Sequence, residues 1–551
     1  MEFKWFSSGS PWIWLTGGAV SVSLLSVLGL LLFIGWKGLS YFWPSPLYQW
    51  SNQQGEMIVG QLYARESISI NYLKQMNADL PLDMEKESDI ERLDIKIANR
   101  DIYPADFISV LSKDLLEPSM PKMWAVVERT QGGDFYGKPT GYFTLANQNM
   151  VTLNVEETIE QALFFAKEQR LKIDRLVEKQ IRVISAQYSK LKLEKKKRQI
   201  SGQLDEEFIR RYDNQSRIFG QQLIEMEAEL DALRQELEQQ GLLIEDMKGN
   251  EYQISLSEIL DVWYPNQMSI WQKVHHWLNQ VWKFLTTEPR ESNSEGGVFP
   301  AIFGTVLLVL IMSMIVMPLG VIAAIYLHEY AKNNTLTRLI RVAVINLAGV
   351  PSIVYGVFGL GFFVYTLGGS IDDLFYSEKL PAPTFGTPGL LWSALTLAVL
   401  TLPVVIVSTE EGLTRIPNSV RNGSLALGAT QFETMWRIVL PMASPAILTG
   451  LILAVARAAG EVAPLMLVGV VKLASSLPLD SQFPFLHLDR KFMHLGFHIY
   501  DVGFQTTNIE SARPLVYATS FLLVCVIVGL NLTAISIRNN LREKYRTLGQ
   551  D

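Results

Sequence analysis

Long uncharged stretches recur along part of this chain, and one charge-dense block interrupts them. The uncharged windows run from Trp5 to Trp36, Gly296 to Leu327, Val342 to Ile371, Leu380 to Thr409 and Pro514 to Ile537. Ile438 to Val471 is equally apolar apart from Arg457 and Glu461. A helix needs about 20 apolar residues to cross the roughly 30 Å hydrocarbon layer, so each window suffices for one crossing. Buried helices of soluble proteins rarely hold so many uncharged residues in a row, and the pattern predicts six membrane spans. The first window is longer than the apolar core of a signal peptide, about 7–15 residues, and no small-residue cleavage site follows Trp36. It predicts an uncleaved anchor.

The charge-dense block has two textures. Val155 to Gln240 lacks proline and is rich in Glu, Lys, Gln and Leu. Phe219, Leu223, Met226, Leu230, Leu233 and Leu237 alternate spacings of four and three, the heptad seam of a coiled coil. Val177, Ile181, Ile184, Tyr188 and Leu191 do the same, and Ser201-Gly202 between the two stretches ends one helix. An antiparallel coiled-coil hairpin over 155–240 is predicted. The basic run Lys192 to Arg198 near its tip reads as a solvated face, with contact to a partner or an anionic surface as the alternative. Around the hairpin, Trp124 to Arg129 and Gly141 to Leu145 predict a β-hairpin. Gly132-Gly133 and Gly137-Lys138-Pro139 separate its strands. Glu251 to Tyr264 predicts a strand followed by a short helix. Together these form an α+β domain. Over 269–285, Trp271, Val274, Trp277, Leu278, Val281, Trp282 and Leu285 predict an amphipathic helix lying flat at a membrane interface.

Charge counting sharpens this division. The chain has 551 residues, 48 basic and 55 acidic, for a net charge of −7. Residues 37–298 hold 31 of the basic and 40 of the acidic side chains. The acidic balance argues against nucleic acid as a partner, since phosphate affinity rests on clustered Lys and Arg. One cysteine, Cys525, excludes a disulfide framework and a Cys-based zinc module. Orientation follows from basic residues in short loops. With the N-terminus inside, the inner segments carry eleven basic residues and the short outer loops five. Both termini are therefore expected inside and the long block outside. The expected domains are 1–37 (tail and first span), 38–295 (outer domain), 296–537 (membrane core) and 538–551 (inner tail).

Catalytic motifs are missing: there is no G-x-S-x-G, no H-E-x-x-H and no usable Walker sequence. Gly132, Gly137 and Lys138 have P-loop spacing, but Pro139 takes the Ser/Thr position and a strand follows instead of a helix. His494 and His498 stand four apart with Asp489 and Asp501 near. They read as one face of an interfacial helix before the last span, in preference to a metal site. No cofactor or metal is expected.

Arg457 and Glu461 are the strongest chemical signal. A charge inside a span costs about 3 kcal/mol or more and usually faces a cavity or another charge. Four residues apart, the two share a helix face and can pair. They are expected in a substrate path, the alternative being a purely structural ion pair. A guanidinium suits an anion, because it grips phosphate-like oxygens in bidentate fashion. The second signal is the inner loop before the fifth span. It carries Arg421, Asn422, Gly423, Ser424, Leu427 and Gly428, then Ile438, Leu440 and Pro441.

This loop resembles the coupling motif of ABC importer permeases, E-A-A, three residues, G, nine residues, I-x-L-P. Gly428, nine residues, then Ile438-x-Leu440-Pro441 matches in spacing, while Asn422-Gly423 stands in place of Glu-Ala. Gly297 to Thr305, Asn346 to Gly356 and Ala456 to Leu465 resemble phosphate ABC transporter permeases of the PstA type, and Ala463-Pro464 after Glu461 favours that type over its PstC sister. The resemblance covers 296–537. It implies a mainly α, polytopic protein of the bacterial inner membrane. A type I ABC importer permease-like core of six spans would carry the α+β domain as a large periplasmic insertion. It implies a sister permease, a cytoplasmic ATPase dimer that grips residues 410–441, and a periplasmic phosphate-binding protein. The chain itself would catalyse nothing. Alternatives are a permease for another oxyanion, sulfate or molybdate, and a membrane sensor, for which no inner segment is long enough to serve as an output domain.

Overall fold

The computed structural model describes residues 9–52, 55–69, 89–144, 149–151, 155–290, 293–332, 334–506 and 509–547. Lys4 and Trp5, at the start of the first predicted window, lie outside them. The chain divides into two compact units, one of residues up to Tyr41 together with those from Lys283 on, the other from Phe42 to Trp282.

The first unit opens with α1 (Ser10–Ser40). The polar unit follows. Strands β1 (Tyr48–Ser51), β2 (Met57–Ser69), β3 (Asp89–Lys96) and β4 (Phe107–Leu111) make an antiparallel meander in that order. A second sheet has the order β10-β5-β6-β8-β9. It contains β5 (Ala125–Arg129), β6 (Phe135–Thr144), β8 (Gln240–Glu245), β9 (Glu251–Ser255) and β10 (Ile259–Trp263), with β7 (Asn149–Val151) on β6. Period-two alternation sorts its side chains. Val127 and Phe135 enter one apolar cluster and Val126 and Tyr136 another.

Two expectations need correction here. The β5–β6 turn lies at 130–134, around Gly132-Gly133 with φ of 79° and 73°, and Gly137-Lys138-Pro139 is inside β6. Pro139 is tolerated there because the β6–β8 ladder shifts register between Pro139 and Gly141. The predicted short helix after Glu251 is instead β10, whose Val262 and Trp263 pair with β5.

Helix α2 (Val155–Leu176) passes through a π-helical turn, Val177–Ile181, into α3 (Arg182–Ile200). After the turn at Ser201-Gly202 comes α4 (Glu206–Glu238), N-capped by the Asp205 carboxylate. Cross-contacts run antiparallel: Gln169 with Glu236, Tyr188 with Ser216 and Phe219, Lys195 with Tyr212, Arg198 with Phe208. Leu230 and Leu237 on the heptad seam are buried, and the other four seam residues are half-buried. The base of the hairpin is core: Ile159, Ala162, Ala166 and Leu237 pack on Leu242, Ile244 and Ile254. Three cations of the basic run lie over rings, Lys192 on Tyr188, Lys195 on Tyr212 and Arg198 on Phe208. Helix α5 (Ile270–Thr286) keeps Trp271, Leu278 and Trp282 on its exposed side, at spacings of one helical face.

The membrane unit has six helical stretches long and apolar enough to cross a bilayer. They are Trp12–Ser40, Phe299–Tyr330, Ser352–Phe375, Leu390–Thr414, Gln431–Gly460 and Ala512–Asn540. They comprise α1; α6 (Phe299–Ile325) with a π turn; α8 (Ser352–Phe358) continued by a π-helical segment into α9 (Gly369–Phe375); α10 (Leu390–Thr414); α12 (Gln431–Thr434) continued by a π turn into α13 (Leu440–Gly460); and α16 (Ile509–Thr547). Between them lie α7 (Thr335–Leu347), α11 (Asn418–Ala426), α14 (Ala463–Val468) and α15 (Leu495–Phe504). Small residues set the packing, as expected where lipid removes the hydrophobic drive between helices. Gly320 of α6 faces Val405 of α10, Gly450 of α13 faces Ser408, and Gly38 of α1 lies on the backbone of Ala518 in α16.

Two predicted windows prove to be broken. Val342 to Ile371 contains the end of α7, a turn at 348–351 and the start of α8, because Gly349 and Pro351 stop one helix before the next begins. Ile438 to Val471 is interrupted at Glu461, whose ψ of 132° is extended, and Pro464 starts α14.

Candidate functional site: a broken helix and the loop before the fifth span

Arg457 occupies the last turn of α13, where a cation suits the negative end of the helix dipole. Glu461 is the residue capping that helix, so the pair spans a helix end instead of sharing a continuous face as the sequence suggested. Arg457 Nε and Glu461 Oε1 are 3.6 Å apart, with side chains 30% and 21% exposed. Among the described residues Arg457 has no hydrogen bond within 3.5 Å, and Glu461 is its sole ion-pair partner. The guanidinium therefore keeps donors free for another anion. Next to this break α8 crosses α14 at backbone distance: a Cβ on Gly356 would come within 2.7 Å of the Pro464 Cα. Tyr355 of α8 is within electrostatic reach of Arg457 and donates its hydroxyl to the Leu347 carbonyl at 2.6 Å. Irregular backbone at membrane depth persists where it is buried in protein or lines a cavity.

The loop between α10 and α13 is built by local chemistry. Helix α11 ends in a Schellman arrangement: Ala429 N donates to Ser424 O and Gly428 N to Leu425 O. Gly428 has φ of 90°, which a residue with a Cβ adopts only under strain. Thr430 and Glu433 then form a reciprocal capping box that starts α12. Ile438, Leu440 and Pro441 continue this helix into the span, half-buried, beside the cluster of Leu413, Ile416, Met435 and Val439.

The named loop residues divide into two groups. Asn422, Gly423, Leu427 and Gly428 are exposed, and Leu427 is 91% exposed. Ser424 is buried and shares a hydrogen bond of 2.8 Å with the Thr434 hydroxyl. Arg421 turns inward to Glu329, a residue missed in the sequence because it stands just past the end of an uncharged window. An apolar groove of about 290 Å³ lies alongside, lined by Ile322, Tyr326, Tyr330, Phe432 and Trp436.

His494 and His498, expected on an interfacial face, are instead buried, and burial pushes each down to about 4. Asp501 beside them is fully buried and is met by Lys472 Nζ at 3.2 Å and Asn293 Nδ2 at 3.1 Å. Asp489 is not among these contacts. The described residues contain no group of three or more side chains able to hold a metal.

The profile of the family described as binding-protein-dependent transport system inner membrane component matches residues 316–547, which include the loop and Arg457. The phosphate transport system permease protein PstA 1 of Mycobacterium tuberculosis is 34% identical over 244 residues, 44% of this chain and 71% of that one. This chain belongs to the PstA-type ABC transporter permeases. PstA of Yersinia pestis is 32% identical over 251 residues, 46% of this permease and 75% of its relative. The probable ABC transporter permease protein YqgI of Bacillus subtilis is 31% identical over 257 residues, 46% and 81%. Among solved structures, the inward-facing MetNI methionine ABC transporter aligns with 48% of the permease and 98% of its own chain, at 17% identity and a TM-score of 0.32. The permease is thus a membrane-embedded transport component, and its polar unit lies outside the matched segment.

Proposed function

We propose that this permease is a translocating subunit of an ATP-driven importer of inorganic phosphate. The identity to relatives named as phosphate transport permeases carries this reading. A guanidinium free to take an anion at a broken helix supports it chemically. Arg457 binds phosphate in passage, and Glu461 weakens its grip so that the anion leaves. A sister permease supplies the other half of the path. A cytoplasmic ATPase dimer docks on the exposed part of the loop, Asn422, Gly423 and Leu427, and its closure rocks the spans between outward and inward access. The polar unit faces the periplasm, with α5 resting on the bilayer surface and the helical arms of 155–240 forming a coiled coil. A phosphate-binding protein delivers the anion from that side.

The test is radiolabelled phosphate uptake in cells lacking this chain, with and without the chain restored, and with sulfate and molybdate as competitors. Restored uptake that excess sulfate and molybdate leave unchanged supports phosphate. Restored uptake of sulfate or molybdate in preference to phosphate would reassign the substrate.

A further inference from the structure

We infer that the Glu329–Arg421 ion pair is the strut through which the coupling helix α11 pushes on the second and fourth spans. This deepens the proposed function and rests on its ATPase partner. Arg421 Nη2 lies 2.9 Å from Glu329 Oε1, with side chains 15% and 22% exposed. The same guanidinium donates to two carbonyls at or just after the end of α10, Leu413 O at 2.8 Å and Ile416 O at 3.2 Å, and within α11 to Asn418 Oδ1 at 3.0 Å. Glu329 sits in the π turn that ends the second span. His328 closes the ring, its Nδ1 2.9 Å from Glu329 Oε1 and its Nε2 3.3 Å from the Thr414 hydroxyl. One side chain of α11 thus grips the inner ends of two spans at once.

Apolar packing alone is non-directional. Val420 of α11 touches the Leu413, Ile416 and Met435 cluster, which holds the helix near the bundle without fixing the direction of its push. The charge-assisted bonds of Arg421 add that direction, because a planar fork constrains angle as well as distance. Departure from the family motif fits this arrangement. With Asn422-Gly423 in place of Glu-Ala, the carboxylate that α11 lacks is supplied by the second span of the same chain. The buried Arg421 Nε has no acceptor among the described residues, as expected of a joint with a second arrangement in which it finds one. Glu329 and Arg421 are positioning residues: they touch no phosphate.

The test uses the whole transporter in proteoliposomes and reads phosphate moved per ATP hydrolysed. Glu329→Gln keeps the size and removes the charge, and the apolar cluster keeps the variant folded. ATP hydrolysis should persist while the transport ratio falls about tenfold, the scale of a coupling free energy between sites. Glu329→Asp restores the carboxylate and should give an intermediate ratio. An unchanged ratio in Glu329→Gln overturns the strut. So does a ratio in Glu329→Asp at or below that of Glu329→Gln, because size would then matter and charge would not. If Glu329→Gln loses hydrolysis as well, recovery of both activities in Glu329→Asp supports the strut and no recovery overturns it. A parent transporter that hydrolyses ATP and moves no phosphate would instead refute the proposed function.

Discussion

Replacing Arg457 with Gln tests the anion path most directly. The guanidinium is held by one ion pair at 3.6 Å, longer than a hydrogen bond, so most of its donors are uncommitted. A bidentate grip on phosphate would supply two charge-assisted bonds, each worth about 1.5–3 kcal/mol. Partial exposure of the site argues for the lower bound, about 3 kcal/mol in total, or roughly a hundredfold in kcat/KM. The substitution also leaves Glu461 without its cation, and a bare carboxylate repels an incoming anion. Initial rates of radiolabelled uptake should therefore fall about a hundredfold, with the complex still assembled as judged by co-purification. Arg457→Lys keeps the charge and loses the fork, and should fall between the two. Glu461→Gln should act in the opposite sense on binding, lowering KM and kcat together as release slows. Normal uptake by Arg457→Gln would remove the guanidinium from the mechanism, and the pair would be a structural link across a helix end.

Sidedness is checked at Leu427→Cys in a Cys525→Ser background, since Leu427 is 91% exposed whereas Ser424 is buried against Thr434. An impermeant thiol reagent should label it in inside-out vesicles and spare it in intact cells; labelling in intact cells would invert the topology. The hairpin can be shortened but not removed. Deleting Val177–Glu229 behind a Gly/Ser linker should leave measurable uptake. Deleting Val155–Gln240 takes Ile159, Ala162, Ala166 and Leu237 out of the core and should leave the polar unit protease-sensitive. Each large core truncation costs about 2–5 kcal/mol, against a typical domain stability of about 5–15 kcal/mol. Equal protease resistance in the two deletions would contradict this. Acid should destabilise the membrane unit. His494 and His498 stay neutral in the fold down to about 4, while unfolded imidazoles protonate below their ordinary 6.5. The unfolded state thus binds more protons between those values, and stability falls as pH drops through that window. His498→Gln should flatten the melting temperature against pH over that range, and an unchanged slope would place the acid sensitivity elsewhere.

The parts legible in the sequence are those set by periodicity. Heptad spacing marked inward positions of α4: the structure buries Leu230 and Leu237 and half-buries the other four seam residues, while the equally buried Phe208 lies outside the seam. Charge-free windows located six spans but misplaced their ends, because counting charges is blind to Gly349-Val350-Pro351 and to Pro464, where the backbone leaves the helix inside an apolar run. The same counting hid Glu329. It ended a window and so read as a boundary, although its partner Arg421 is 92 positions further along the chain. Burial of Asp501 was likewise illegible, since the residues that meet its carboxylate, Asn293 and Lys472, come from two distant segments. The β10 strand was lost for a related reason: its partner β5 lies more than a hundred residues away in sequence.

Two of these misreadings fall at the helix breaks, and the proposed anion site lies at one of them. An unbroken fifth span would carry Arg457 and Glu461 on one helical face, free to satisfy each other and leaving little for a passing anion. Ending the helix at Gly460 moves Glu461 onto extended backbone, where it reaches Arg457 only at 3.6 Å. The break after α7 serves the same end from the other side, letting α8 swing in until Gly356 lies on Pro464. Substituting Gly356 with Leu would force those backbones apart, because the space for a Cβ is already taken by Pro464 at 2.7 Å. Phosphate uptake should then fall without any change in Arg457 or Glu461, the residues proposed to meet the anion. A Gly356→Leu permease with parental uptake would show that the meeting of the two broken helices is incidental to transport.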